Sequence, residues 1–408
     1  MFYRARNIVR SNLDVIIPLF LLIPLYAILY EIYIPRVNAF GCFDDCFNYL
    51  GGYFIANGKH IYSDFFFNHQ PIPAFLSYFV QAFTNPINIF DLVLRHRQFL
   101  MLFGVLFNAL LILRFRLPTF LFVIIFELSK FYVFGDRFLA EGMIVYPLAY
   151  LTGLALLKLS NHKLLTIDYL LTAVFAWFVI FMREPYVPLA LVLFAIILFE
   201  RKIKQIKLWS FAIFAGLSAI TLLSFNISEY FFNVFTVNYT TFLPSDVKAD
   251  MIGNRFTQAL FYPIYIFFYG PSNILRTLLI FIDVAFLANL ITLLKQKRYV
   301  SVLTIADVLG LANIRVVLPG SMFYEAFHMV VWFGLFIFMT SMLVFWNFAR
   351  KKLFYASILV LLIGLVTFIG SKSYFPREPF DQQEALLTNY GEIMQIGEVV
   401  RKLSNSGD

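Results

Sequence analysis

The chain has 408 residues, of which 61% are apolar, 14% are charged and 52 are Phe. That leaves too little polar side chain to clothe a soluble globular surface, so the expected class is an all-α polytopic membrane protein. The formal net charge of +8 does not argue for nucleic acid, because the excess basic residues fall in short connections where membrane topology already accounts for them.

A bilayer core about 30 Å thick asks for roughly 17–25 apolar residues per helical span. In chain order, spans are expected near 13–35, 92–113, 118–135, 138–157, 164–182, 185–200, 208–225, 273–294, 299–314, 323–346 and 353–370, about eleven in all. The first follows Arg4, Arg6 and Arg10 but is longer than a signal-peptide core and has no small-residue cleavage site, so it reads as an uncleaved anchor. Basic residues without acids recur in alternate connections: RARNIVR, RFR, Lys158 with Lys163, RKIKQIK, KQKR and RKK. The positive-inside rule places these pieces in the cytoplasm, with the protein in the plasma (inner) membrane, the N-terminus inside and the C-terminus outside. Residues 1–370 then form one transmembrane domain whose large outer loops are 36–91 and 226–272. Residues 371–408 form an outer amphipathic tail, natively short or cut short, striped by Leu386, Tyr390, Ile393, Gly397 and Val400.

The cytoplasmic connections are short, so the chemistry is expected outside. In the first outer loop, residues 45–57 place Tyr49, Tyr53 and Ala56 at helical spacing, and 70–83 are apolar but too short to span. Both segments suit interfacial helices. Cys42 and Cys46 allow a disulfide, but two semi-buried free thiols are the preferred reading. No cofactor is firmly implied, and the ligand spacing does not support a divalent metal.

Ionisable residues at membrane depth default to functional hypotheses. Glu127 and Lys130, three apart, are expected to neutralise each other. Asp14 and Asp168 sit in first helical turns, where a carboxylate favours the helix dipole. Asp283 and Asp307 are unpaired in sequence and face either a polar cavity or each other. The Arg183-Glu184-Pro185 turn wants a polar cavity. Glu141 opens a span after GDRFLAEG, and Arg315 and His328 flank the penultimate outer loop.

The stretch FDDCFNYLGGYFIANGKHIYSDFFFNHQPIPAFLSY resembles the first outer loop of GT-C superfamily glycosyltransferases, in the group with protein O-mannosyltransferases and aminoarabinose transferases. Members there often show an Asp-Glu pair, a short helix, GK-x-x-Y-x-D and a His-Pro-Pro box. Asp44, Asp45, Gly58, Lys59, Tyr62, Asp64, His69 and Pro71 fall on those positions, while Asp45 replaces the usual Glu and Gln70 replaces a Pro. RFLAEGMIVYPLAYL is similar to the family's second outer loop, and Arg315 with FHMVVWF resembles its late Arg and His-Tyr features.

The resemblance implies an enzyme that moves a sugar from a polyprenyl-phosphate donor to an acceptor hydroxyl of protein, lipid or glycan at the outer face. Attack by that hydroxyl needs a general base, and the departing phosphate is best stabilised by cations rather than a second acid. Asp44 is the expected base, with Asp45 orienting it or the acceptor. Tyr62, Asp64, His69 and Glu141 are expected at the substrate site; Lys59, Arg183, Arg315 and His328 are candidates for the phosphate. A secondary transporter, a lipid-linked glycan flippase or polymerase, and a non-catalytic scaffold are the alternatives.

The topology makes a direct prediction. A Ser406→Cys protein should react with an impermeant thiol reagent applied to the outer face of intact cells, above the labelling of the unsubstituted protein. Reaction only after the inner face is opened would reverse the orientation.

Overall fold

The computed structural model describes residues 2–36, 44–199, 205–240, 264, 274–313 and 327–371. Among them the chain is helical and contains no strand. The helices are α1 Phe2–Tyr33, α2 Asp44–Ala56, α3 Pro71–Thr84, α4 Ile89–Phe115, α5 Leu117–Ser129, α6 Ala140–Leu159, α7 Thr166–Met182, α8 Val187–Leu198, α9 Gln205–Leu223, α10 Ile227–Phe231, α11 Val237–Thr240, α12 Ile274–Lys295, α13 Tyr299–Ala312, α14 Val330–Trp346 and α15 Lys351–Ile369.

Each expected span coincides with one of these helices, and seven of the described helices are long and apolar enough to cross a membrane. The protein is therefore a multi-pass membrane protein. Four of the expected spans are shorter: α5, α7, α8 and α13 have 13, 17, 12 and 14 residues. Local chemistry sets their ends. Arg116, at φ 65°, closes α4, and Pro118 then opens α5. Arg183 leaves α7 with extended backbone, after which Pro185 and Pro188 restart the chain as α8.

Helices apolar on all sides belong in the middle of a bundle. In α6 the 17 residues from Ala140 to Leu156 are all buried, and in α14 the 15 residues from Val330 to Val344 are. These two helices pack on each other, with α4, α5, α7 and α8 also around them. By contrast α9 and α15 turn Leu208, Trp209, Ile220, Leu223, Leu359 and Val366 outward, as lipid-facing helices do.

Several of the buried ionisable side chains are paired. Lys130 Nζ lies 2.6 Å from Glu127 Oε2, and Tyr146 and Asn108 donate to Glu127 Oε1 at 2.7 and 2.9 Å. Arg114, at the end of α4, makes a two-pronged contact with Asp168 at 2.7 and 2.8 Å. Asp168 also accepts from Tyr150 at 2.9 Å and caps the start of α7 by accepting from Leu165 N at 2.7 Å. It is thus more than the simple dipole-stabilising acid its position suggests. Asp283 is fully buried with neither carboxylate oxygen hydrogen-bonded, whereas Asp307 is exposed.

Two smaller expectations are corrected. Cys46 is disulfide-bonded rather than a free thiol. On α2 the buried face is Asp45, Asn48, Tyr49, Gly51 and Gly52, while Tyr53 is exposed. The two glycines decide that face: a Cβ on Gly52 would stand 2.6 Å from Ser77 Oγ and Tyr78 N, so only glycine lets α2 and α3 pack this closely. The C-terminal stripe from Leu386 to Val400 lies outside the described residues.

Removing one partner of a buried pair leaves an uncompensated charge, at a cost of about 3–5 kcal/mol, whereas replacing both is often neutral. Lys130→Met alone should therefore lower the thermal unfolding midpoint in detergent sharply, and Glu127→Gln combined with Lys130→Met should recover most of the loss.

Candidate active site

Adjacent residues on an α-helix point about 100° apart, and at the start of α2 this separates the two aspartates. Asp45 turns into the protein. It is fully buried, 2.6 Å from Arg97 Nη2, and accepts from the Tyr49 hydroxyl at 3.0 Å. Burial first, and then the Asp45 carboxylate, push the Tyr49 phenol well above its ordinary pKa, so it remains a donor. Arg97 Nη1 also donates to Asp136 O at 2.8 Å, and Asn48 Nδ2 donates to Phe138 O at 3.0 Å. These bonds fasten α2 to α4 and to the segment ahead of α6. Asp44, half-buried, is left facing a narrow cleft of about 20 Å³. Asp45 is not among the residues lining that cleft.

The cleft is lined by Asp44, Asn48, His69, Glu141, Arg183 and Phe327 with apolar neighbours. Arg183 is its centre. The Nε atom donates to Glu141 Oε1 at 2.8 Å, Nη1 lies 2.6 Å from His69 Nδ1, and Glu184 Oε1 is 3.5 Å away. Burial alone would lower the guanidinium pKa, but Glu141 and Glu184 hold it above its usual value, so the charge is permanent. A cationic neighbour at 2.6 Å makes Nδ1 of His69 an acceptor and the ring neutral. Glu141 thus combines an N-terminal position on α6 with an ion pair to the α7–α8 turn.

The loop between α2 and α3 brings His69 to this point and carries Lys59 away from it. Gly58, at φ 75°, closes the Asn57-Gly58-Lys59 turn on α2, with Lys59 N donating to Phe54 O at 3.0 Å. Lys59 ends in a separate cleft with His60, Ser63, Ser224 and Asn226. Asp64 accepts from His60 N at 2.6 Å and is a loop-forming residue. Tyr62 is buried and its hydroxyl donates to His69 O at 2.9 Å; burial pushes this phenol well above its ordinary range and keeps the proton on it. At the α14 end, Phe327 lines the Asp44 cleft, and His328 meets Tyr186 through its backbone carbonyl, 3.5 Å from the Tyr186 hydroxyl. Arg315 lies outside the described residues.

The structure therefore brings Asp44, His69, Glu141 and Arg183 together and leaves Asp45, Lys59, Tyr62 and Asp64 off the cleft. The expected pattern is one carboxylate with basic residues around it; among the described residues the cleft carries Asp44 and Glu141 with Arg183, which is shared between Glu141 and Glu184. Sequence reading missed Arg97, in the polar Arg95–Gln98 stretch near the start of α4, and Tyr230, Asn233 and Asn238, which hold the His69 loop from the second large loop. Among the described residues no group of three or more His, Cys, Asp or Glu side chains is placed to hold a metal ion. No protein family, curated protein or solved structure matches the chain.

Tyr230 gives this region a measurable pH signature. Its hydroxyl donates to Gln70 Oε1 at 3.0 Å, and burial raises its pKa from 10.0 to about 12. A folded-state pKa above the unfolded value means that the stabilisation is fully present below pH 10.0 and is lost as pH rises toward about 12. Unfolding midpoints followed across that window should fall less steeply for Tyr230→Phe than for the unsubstituted protein.

Proposed function

We propose that this protein is a GT-C-type membrane glycosyltransferase that moves a sugar from a polyprenyl-phosphate donor to an acceptor hydroxyl at the outer face of the membrane, on an architecture of about eleven spans. The observation that carries the reading is the cleft itself. A half-buried carboxylate, Asp44, lines the same narrow cleft as a fixed guanidinium that has both a carboxylate and an imidazole on it. Those groups come from α2, the α2–α3 loop, α6 and the α7–α8 turn, so the fold is what assembles them. The disulfide at Cys46, two residues from Asp44, is in keeping with an oxidising, non-cytoplasmic side.

In the reaction, the acceptor oxygen forms a bond to the anomeric carbon of the donor sugar. The bond from that carbon to the phosphate oxygen breaks, and the electron pair leaves with polyprenyl phosphate. The acceptor proton passes to Asp44, whose carboxylate is the general base. Arg183 offers Nη2 to a phosphate oxygen, since Nε and Nη1 are engaged by Glu141, His69 and Glu184. Glu141 and His69 keep the guanidinium in place while the phosphate arrives and departs. A secondary transporter or a flippase is the competing reading; it would place a binding site at mid-depth between repeats, whereas the assembled polar groups here sit at helix ends.

Asp44→Asn keeps the size and most hydrogen bonds of the side chain but cannot accept a proton, so turnover should fall by about 10²–10⁴-fold. Binding of polyprenyl phosphate should survive. The measurement is sugar transfer from a labelled polyprenyl-phosphate donor by purified protein in liposomes, with folding checked by thermal unfolding. Near-normal transfer by a folded Asp44→Asn protein would remove the catalytic reading and leave the transporter ahead. Mass analysis of glycans and glycolipids from cells with and without the gene identifies the sugar and acceptor.

A further inference from the structure

Four consecutive residues of the α2–α3 loop are each held by a specific hydrogen bond. Asn233 Oδ1 accepts from Phe67 N at 3.3 Å. Asn238 binds Asn68 twice, donating to its carbonyl at 2.7 Å and accepting from its carboxamide at 3.1 Å. The carbonyl of His69 takes the Tyr62 hydroxyl, and the Gln70 side chain takes the Tyr230 hydroxyl. Three of these anchors, Tyr230, Asn233 and Asn238, come from the continuous helical stretch 227–240. Beneath the polar bonds, Ile61, Tyr62 and Phe67 pack with Tyr230 and Val234 in one apolar cluster.

The spacing of the two asparagines is unexpected. Residues five apart on an α-helix lie about 140° from each other and cannot serve the same loop. Here Phe232–Thr236 forms a π turn. Such a turn closes with i→i+5 hydrogen bonds and absorbs one extra residue. With that residue absorbed, Tyr230, Asn233 and Asn238 fall on the i, i+3, i+7 stripe of a regular helix.

We propose that the π turn exists to set Asn233 and Asn238 as positioning residues for His69, and through His69 for Arg183. The effect on phosphate binding rests on the glycosyltransferase reading, while the positioning itself does not. The two asparagines touch neither substrate nor cleft. They fix the backbone on the N-terminal side of His69, so that Nδ1 meets the guanidinium at 2.6 Å. Arg183 then has one direction left in which to offer hydrogen bonds. If the loop is released, the imidazole leaves and Nη1 is free to close on Glu184, which already lies 3.5 Å away.

Two measurements test this on the full-length protein in nanodiscs. The first is hydrogen–deuterium exchange. In Asn238→Ala, which removes both bonds, uptake should rise in residues 62–70 while α2 and α3 stay protected, and in Asn68→Ala, which removes only the carboxamide bond and keeps the carbonyl acceptor, it should rise less. The second is a double-mutant cycle read by polyprenyl phosphate affinity. Asn238→Ala should weaken binding about tenfold in the unsubstituted background and by less than about twofold in a His69→Ala background. Unchanged exchange in 62–70, or an equal loss with and without His69, overturns the proposal. If the unsubstituted protein binds no polyprenyl phosphate, the glycosyltransferase reading fails, and exchange alone then decides the positioning role.

Discussion

An ionised side chain taken out of water must find its counter-charge within the protein, and in this molecule one helix supplies most of the meeting points. α6 is buried along almost its whole length, yet it carries Glu141, Tyr146 and Tyr150 at successive depths. Glu141 receives Arg183, Tyr146 joins the Glu127–Lys130 pair, and Tyr150 joins the Arg114–Asp168 pair. Each pairing draws a different neighbour onto α6: the α7–α8 turn, α5, and the ends of α4 and α7. Apolar packing against lipid-like surroundings is weakly directional, so these polar contacts fix which helix sits beside which, and at what height. The candidate cleft lies at the contact nearest the start of α6.

The same constraint explains which parts of the molecule could be read from sequence. Helix positions were legible because a bilayer imposes length and hydropathy on every span, and all eleven expected segments coincide with helices. The members of the candidate cleft were legible where charge stood out against an apolar background, as at Asp44, Glu141 and Arg183. The site was misread where adjacency in sequence was taken for adjacency in space. Asp44 and Asp45 look like a pair, but a helix sends them to opposite environments. Arg97 is 52 residues from Asp45, and no periodicity announces that contact. Lys59 looked like a phosphate ligand by motif, yet a positive-φ glycine turns it to another cleft.

The second large loop shows a different limit. Its Tyr and Asn content is visible in the sequence, but Asn233 and Asn238 stand at a spacing that no regular helix would place on one face. Only a local change of helical pitch gives that spacing a meaning, and pitch changes of one residue leave little trace in composition.

In the proposed architecture of about eleven spans, the four short helices have a consequence for the surrounding lipid. At 1.5 Å per residue, α7 rises about 26 Å and α8 about 18 Å, against a hydrocarbon core of about 30 Å. A bilayer meets such mismatch by thinning around the short elements or by submerging their ends, at a cost of fractions of a kcal/mol per Å. The Arg183 turn joins those two helices, so its access to the headgroup layer is tied to membrane thickness. Lipids with longer acyl chains raise the headgroups away from the guanidinium, and shorter ones lower them onto it, which makes the host membrane itself a determinant of what the cleft can reach.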